Sequence, residues 1–171
     1  MAARHFQLLP GNRVGTCRAN NAALGADYVD VEAKVSSVPD LGSAKLILSH
    51  HDFEKTPADL AAVHGAIVAR KPDVAKIVTA AKGIGDMIAL FRLAAESKAL
   101  PTLVLGMGEI GLPTRLLYRR FGSPWTYASL RPGAESAPGQ IPARVLRERY
   151  RADRVGPGTR VFAVIGNPVG H

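Results

Sequence analysis

An α/β fold, with helices laid over a parallel sheet, is predicted by two observations. Short β-branched runs alternate with helical stretches along the chain, and the composition is that of one globular core. The runs fall near 28–33, 45–50, 74–79, 102–106 and 125–129, and the helical stretches near 57–70, 84–98, 112–121 and 141–151. Such alternation implies parallel strands joined by crossover helices. With 171 residues, 47% hydrophobic and 21% charged, the chain can bury one sizeable core and reads as soluble.

Taken in order, Val14-Gly15-Thr16-Cys17-Arg18 has the composition of a first strand. Only residues 19–27 separate it from the next run, fewer than a helical crossover normally needs. In the run from Tyr28, Asp30 and Glu32 alternate with Val29 and Val31, so the two carboxylates share one face and the two valines the other. Inward-facing acids need partners, whereas on an edge strand the same face would simply be solvated. The 45–50 run leads into Ser49-His50-His51-Asp52-Phe53, where successive imidazoles point to opposite sides and only one can face a common site. Thr56-Pro57-Ala58-Asp59 then announces a helix, with Thr as the cap, Pro at the first helical position and Asp in the first turn.

The next run, Val74-Ala75-Lys76-Ile77-Val78, holds a lone lysine in apolar surroundings. Desolvation there favours the neutral, nucleophilic amine, and a histidine nearby can move protons at neutral pH. Together these are the equipment for imine chemistry. On residue type alone the better reading of Lys76 is a stem laid on apolar surface with its ammonium in water. Gly106-Met107-Gly108-Glu109-Ile110-Gly111 is a literal G-x-G-x-x-G after an apolar run. A dinucleotide site would place an acid at the end of the following strand, but Trp125 to Ser129 ends without one, so no nucleotide is expected. Arg144, Arg147, Arg149, Arg151 and Arg154 form the densest cationic group, on a helix whose Val145, Leu146 and Tyr150 supply the buried side. Despite a net charge of +8, a solvated face is the better reading than a nucleic-acid site. No apolar run is long enough for a membrane helix. Cys17 is the only cysteine, is expected to be buried filler, and fits a reducing cytoplasm.

Four motifs in one order carry a resemblance. Ser-His-His-Asp-Phe-Glu-Lys-Thr-Pro (49–57), Val-Ala-Lys-Ile (74–77), Gly-Met-Gly-Glu-Ile-Gly-Leu-Pro-Thr-Arg (106–115) and Ser-Ala-Pro-Gly-Gln (136–140) resemble those of type I 3-dehydroquinate dehydratases, at about the same spacing. The match runs from about Arg18 to about Tyr150. It implies a TIM-type (β/α)8 barrel that lacks its first strands here, with functional groups at the C-terminal strand ends. It implies that Lys76 forms an imine with the ketone of 3-dehydroquinate and that His51 is the general acid/base, with His50 left at the rim. Asp30 is then the better candidate than Glu32 to orient His51. Arg115 is implied as the anchor of the substrate carboxylate, Ser136 and Gln140 as contacts from a loop, and Arg18 as a further contact, although a Glu-Gly-Gly loop expected after Arg18 is absent.

The implied activity needs neither metal nor cofactor. The partners expected are a small-molecule substrate and, as an option, a second copy in a homodimer. An imine-forming aldolase would share Lys76 without needing the rest of the set, and a catalytically incomplete fragment or interaction module would share the residues without a closed site. The chain on its own is expected to have little dehydratase activity, because a barrel without its first strands has an open wall. Residues 1–154 are assigned to this barrel. After the loop at 155–159, Arg160-Val161-Phe162-Ala163-Val164-Ile165-Gly166-Asn167-Pro168-Val169-Gly170-His171 resembles the opening strand and substrate loop of shikimate dehydrogenases, so 155–171 are expected to begin a second domain, the alternative being an ordinary C-terminal strand.

Overall fold

A computed structural model describes residues 5–8, 26–38 and 40–162. Five strands form one sheet: β1 (His5–Leu8), β2 (Tyr28–Glu32), β3 (Lys45–Asp52), β4 (Val74–Ala80) and β5 (Thr102–Met107). All neighbouring pairs are parallel, and the order in space is the order in sequence. A doubly wound sheet reverses its order at a switch point, whereas sequential parallel strands are the arrangement of a βα barrel wall. Among the described residues the wall is open, with β1 and β5 at its edges. No helix among these residues is long and apolar enough to cross a membrane.

Two faces follow from the register. Val29, Val31, Leu48, Ala75, Ile77 and Val104 pack outward against Leu60 and Ile67 of α1 (Leu60–Val68) and Leu90, Leu93 and Ala94 of α2 (Ile84–Glu96). Burying each valine, leucine or isoleucine side chain of this set contributes about 1.5–3 kcal/mol, so this layer fixes the sheet to its helices. On the inner face lie Asp30, Glu32, Ser49, His51 and Lys76, between one apolar layer of Ile47, Val74 and Leu103 and another of Val78, Leu105 and Met107. Because both faces are covered, β4 and β5 read as continuous buried runs rather than alternating ones.

Several boundaries differ from the sequence expectation, each for a local reason. Helix α1 starts at Leu60 rather than at Pro57, because Asp59 Oδ1 accepts from Ala62 N at 2.8 Å and serves as the cap. The Thr56 hydroxyl is engaged elsewhere, 2.8 Å from Thr79 Oγ1, and ties the loop to β4. The helix expected over 112–121 stops at Leu116 in α3 (Leu112–Leu116), followed by a 3-10 turn, Tyr118–Arg120, and by Gly122 at φ +94°. The last helix, α4 (Ala143–Glu148), is shorter than the expected 141–151, and Arg151 turns the chain with φ +52°.

The strand expected over 125–129 does not form. Ser129 N donates to Ile141 O and Ala143 N donates to Ser129 O, so this segment bridges to the residues before α4 instead of extending the β5 ladder. Conversely, β1 pairs with β2 over His5–Leu8, a strand that the local pattern does not announce. The expected strand at Val14–Arg18 lies outside the described residues, with Cys17 and Arg18. Residues 160–162 carry no regular structure, and the remainder of the dehydrogenase-like segment is also outside the described residues.

Candidate active site

The inner face of the sheet opens into a cavity of about 410 Å3, lined by side chains that include His51, Lys76, Arg115, Tyr127, Ser136 and Gln140. Its size suits a small ring compound. The cavity contains both expected bond-making groups, Lys76 from β4 and His51 from the end of β3. His50 points to the other side of β3, as strand alternation requires; its Nε2 has no hydrogen-bond partner among the described residues, and burial pulls its pKa below the usual imidazole value.

Each inward carboxylate takes a different partner. Glu32 Oε1 is bonded to His51 Nδ1. With the carboxylate accepting, Nδ1 carries the hydrogen, and Nε2 is left as the nitrogen that can accept a proton. Asp30 Oδ2 is 2.6 Å from Lys76 Nζ, while Asp30 Oδ1 accepts from the Ser49 hydroxyl. This differs from the expectation that Asp30 would orient His51. The register explains it: Glu32 lies level with Ser49, close enough to reach His51 on the same face, while Asp30 lies one pleat earlier. Lys76 is level with Ser49 on the far side of β3, so Asp30 reaches across β3 to meet it.

Arg115 stands at the wall of the cavity on α3 and is 1% exposed. Nη1 donates to Tyr127 O at 3.2 Å and Nε has no partner among the described residues. Burial pushes the guanidinium down to about 10, which still leaves it charged at neutral pH. A buried cation with a spare donor facing a cavity is equipped to receive an anion. Ser136 and Gln140 hold one another on the opposite loop: Ser136 N donates to Gln140 Oε1 at 2.9 Å and Gln140 Nε2 to Ser136 Oγ at 3.0 Å.

The glycine-rich segment positions this loop. A Cβ on Gly111 would lie 2.2 Å from Gly106 O, and one on Gly139, whose φ is +79°, would lie 2.4 Å from Gly108 O. Gly108 N also donates to Pro138 O at 3.2 Å. The glycines therefore let backbone lie on backbone, bringing 136–140 over the end of β5. Three inner-face residues escaped sequence reasoning: Ser49, Tyr127 and Phe53. Ser49 was legible from its place two residues before His51. Phe53, 72% exposed, lies 5.8 Å from the His51 ring and nearly parallel to it at the mouth. Tyr127 had no local signal, since its segment reads as a strand.

Comparison with known proteins gives the same direction. A family model described as type I 3-dehydroquinase matches residues 10–157. The chain is 38% identical over 157 residues to the chloroplastic bifunctional 3-dehydroquinate dehydratase/shikimate dehydrogenase of Arabidopsis thaliana, covering 86% of this chain and 26% of that protein. It is 36% identical over 138 residues to a 3-dehydroquinate dehydratase of Dehalococcoides mccartyi, covering 77% of this chain and 62% of that one. The crystal structure of 3-dehydroquinate dehydratase from Geobacillus kaustophilus superposes with a TM-score of 0.70 at 27% identity, over 86% of this chain and 66% of that chain. The chain thus spans less than two thirds of the length of these relatives. A family match over most of the chain, carried on the same sequential parallel wall, makes it a member of the type I 3-dehydroquinase family and its sheet a portion of a TIM barrel.

Proposed function

We propose that this protein dehydrates 3-dehydroquinate to 3-dehydroshikimate through an imine on Lys76. The observation that carries the reading is the meeting of buried Lys76, His51 with its outer nitrogen free, and desolvated Arg115 around one cavity. Arg115 binds the substrate carboxylate, and Ser136 and Gln140 meet its polar groups once they release one another. The Lys76 ammonium passes one proton to the ketone oxygen as its nitrogen attacks the carbonyl carbon, and that oxygen, taking a second proton from the nitrogen, leaves as water to give a protonated imine. That cation withdraws electrons from the adjacent carbon, so His51 Nε2 can remove a proton there, with Glu32 stabilising the imidazolium. The resulting enamine pushes its electron pair toward the carbon bearing the hydroxyl. The hydroxyl leaves as water with the proton from His51, and a second water hydrolyses the imine. Arg18 is assigned as a further substrate contact.

A reducing compartment such as the cytoplasm suits a chain with one cysteine. Residues 155–171 are assigned to the opening of a dehydrogenase-like unit, in keeping with the bifunctional name of the Arabidopsis relative.

Borohydride with 3-dehydroquinate should reduce the imine and fix ligand mass on the peptide that carries Lys76. An adduct that persists undiminished in Lys76→Ala refutes the reading. His51→Ala should still form the adduct while turnover falls by about 10²–10⁴-fold, whereas His50→Ala should keep most activity.

A further inference from the structure

We propose that Asp30, held by Ser49, and the ring of Tyr127 form a two-sided seat for the positive charge on Lys76, so that Asp30 serves the lysine and not the histidine. The inference rests on the imine-forming reading of Lys76 and adds the groups that keep its nitrogen cationic. Side-chain exposure is 5% for Lys76 and 1% for Asp30, so water does little to solvate either charge. Ser49, wholly buried, donates to Oδ1 and leaves Oδ2 directed at Nζ, 2.6 Å away. That division of the two oxygens fixes the rotation of the carboxylate. On the other side the Tyr127 ring lies with its centroid 4.9 Å from Nζ, within the range of a cation–π contact.

The ring is itself immobilised. Its backbone oxygen accepts from Arg115, its hydroxyl is hydrogen-bonded by Trp125, and the Trp125 ring packs on Tyr28 with centroids 5.1 Å apart. Burial pushes the Tyr127 phenol up to about 12, so the ring faces Lys76 as a neutral quadrupole.

Charge bookkeeping shows why such a seat suits this chemistry. An ammonium and a ketone become a protonated imine and water, with both departing N–H protons leaving on the former carbonyl oxygen. The nitrogen carries one positive charge before and after. A fixed anion and a fixed ring face can therefore stabilise both states without moving, which is preorganised electrostatics. The other charged groups of the cavity cannot do this: Glu32 is bonded to His51, and Arg115 is a like charge that opposes a cation at Lys76.

The test is the pH profile of Lys76 acetylation by acetic anhydride in the full chain without ligand, read by peptide mass spectrometry. A neutral amine reacts and an ammonium does not. In Asp30→Asn the profile should move to lower pH by roughly 1–3 units, the scale of losing one close opposite charge. Tyr127→Leu should move it in the same direction by roughly half a unit or more, while Tyr127→Phe, which keeps the ring face, should not move it. An Asp30 that only braces β2 against β3 would lower the urea midpoint and leave the profile in place. An unmoved profile in Asp30→Asn overturns the proposal, as does an unmoved profile in Tyr127→Leu if Asp30→Asn does not fold. Borohydride trapping on the same samples separates the two ideas. Intact trapping at Lys76 with unmoved profiles removes the seat alone, whereas trapping undiminished in Lys76→Ala removes the imine reading whatever the profiles show.

Discussion

Arg115 should be a residue whose removal leaves the folded chain no weaker while ligand affinity collapses. The perturbation is Arg115→Met, which keeps a long unbranched stem and deletes the charge. Its guanidinium is held at about 10, well below the ordinary arginine value, a difference that corresponds to about 3 kcal/mol of uncompensated desolvation at neutral pH. One hydrogen bond, to Tyr127 O, offsets part of this, and a bond from a charged donor contributes about 1.5–3 kcal/mol. The two terms nearly cancel, so urea unfolding at pH 7 should place Arg115→Met within about 1.5 kcal/mol of the parent, on the stable side or level with it.

The sign with pH is fixed by the same shift. A base whose folded pKa lies below its unfolded one loses its proton first in the folded state, so the parent should gain stability relative to Arg115→Met as pH rises above about 10. Binding behaves oppositely. A substrate carboxylate that pairs with the spare donors recovers the lost solvation, so titration calorimetry with 3-dehydroquinate should show affinity falling by about 10- to 150-fold in the variant. Arg115→Lys should rescue little, because an ammonium cannot make the two-pronged contact. A variant that loses more than about 2 kcal/mol of stability yet binds unchanged would show Arg115 to be a structural residue, and the anchor would have to be sought elsewhere.

Asp59→Ala should cost about 1 kcal/mol in urea unfolding by uncapping α1, with substrate binding unaffected because Asp59 does not line the cavity. Gly139→Ala places a side chain at positive φ and against Gly108 O, so calorimetry should show weaker substrate binding as the 136–140 loop lifts, with a smaller change in overall stability. His50 and His64 both have pKa values lowered by burial, so the unfolded chain takes up their protons first as pH falls through about 6.5. Stability should therefore drop between pH 7 and 5, and a His50→Gln, His64→Gln double variant should show a flatter dependence of the urea midpoint on pH; an unchanged slope would assign the acid sensitivity to other groups.

How much of this was legible beforehand depended on whether the controlling contact was local. β4 and β5 announce themselves as continuous apolar runs because both their faces are covered, β2 by its alternation of valine and acid and β3 by its Leu-Ile-Leu start, and the ends of all four are within two residues of the sequence expectation. The period of two also separates His50 from His51 without any knowledge of neighbours. Helix ends were less visible: Thr56 and Asp59 are both competent caps, and only the presence of Thr79 across the loop decides which hydroxyl or carboxylate is free to cap. Trp125 to Ser129 has strand composition, but its backbone is engaged by Ile141 and Ala143, far along the chain.

The exchange of partners between Asp30 and Glu32 is the sharpest instance, because alternation places both acids on one face and then says nothing more. Which acid reaches the histidine is set by the stagger of β2 against β3, and which reaches the lysine by the stagger of β3 against β4. A shift of two residues in the first register would keep every side chain on its present face, leave the outer core apolar, and yet hand Asp30 to His51. Burial patterns alone cannot distinguish those two registers. What distinguishes them is pairing of charge, since in the observed one each buried acid meets one base, Glu32 with His51 and Asp30 with Lys76. The ionic contacts of this site are therefore also part of what specifies the register of its strands, and the geometry that the proposed imine chemistry would need is the one that also satisfies the buried charge.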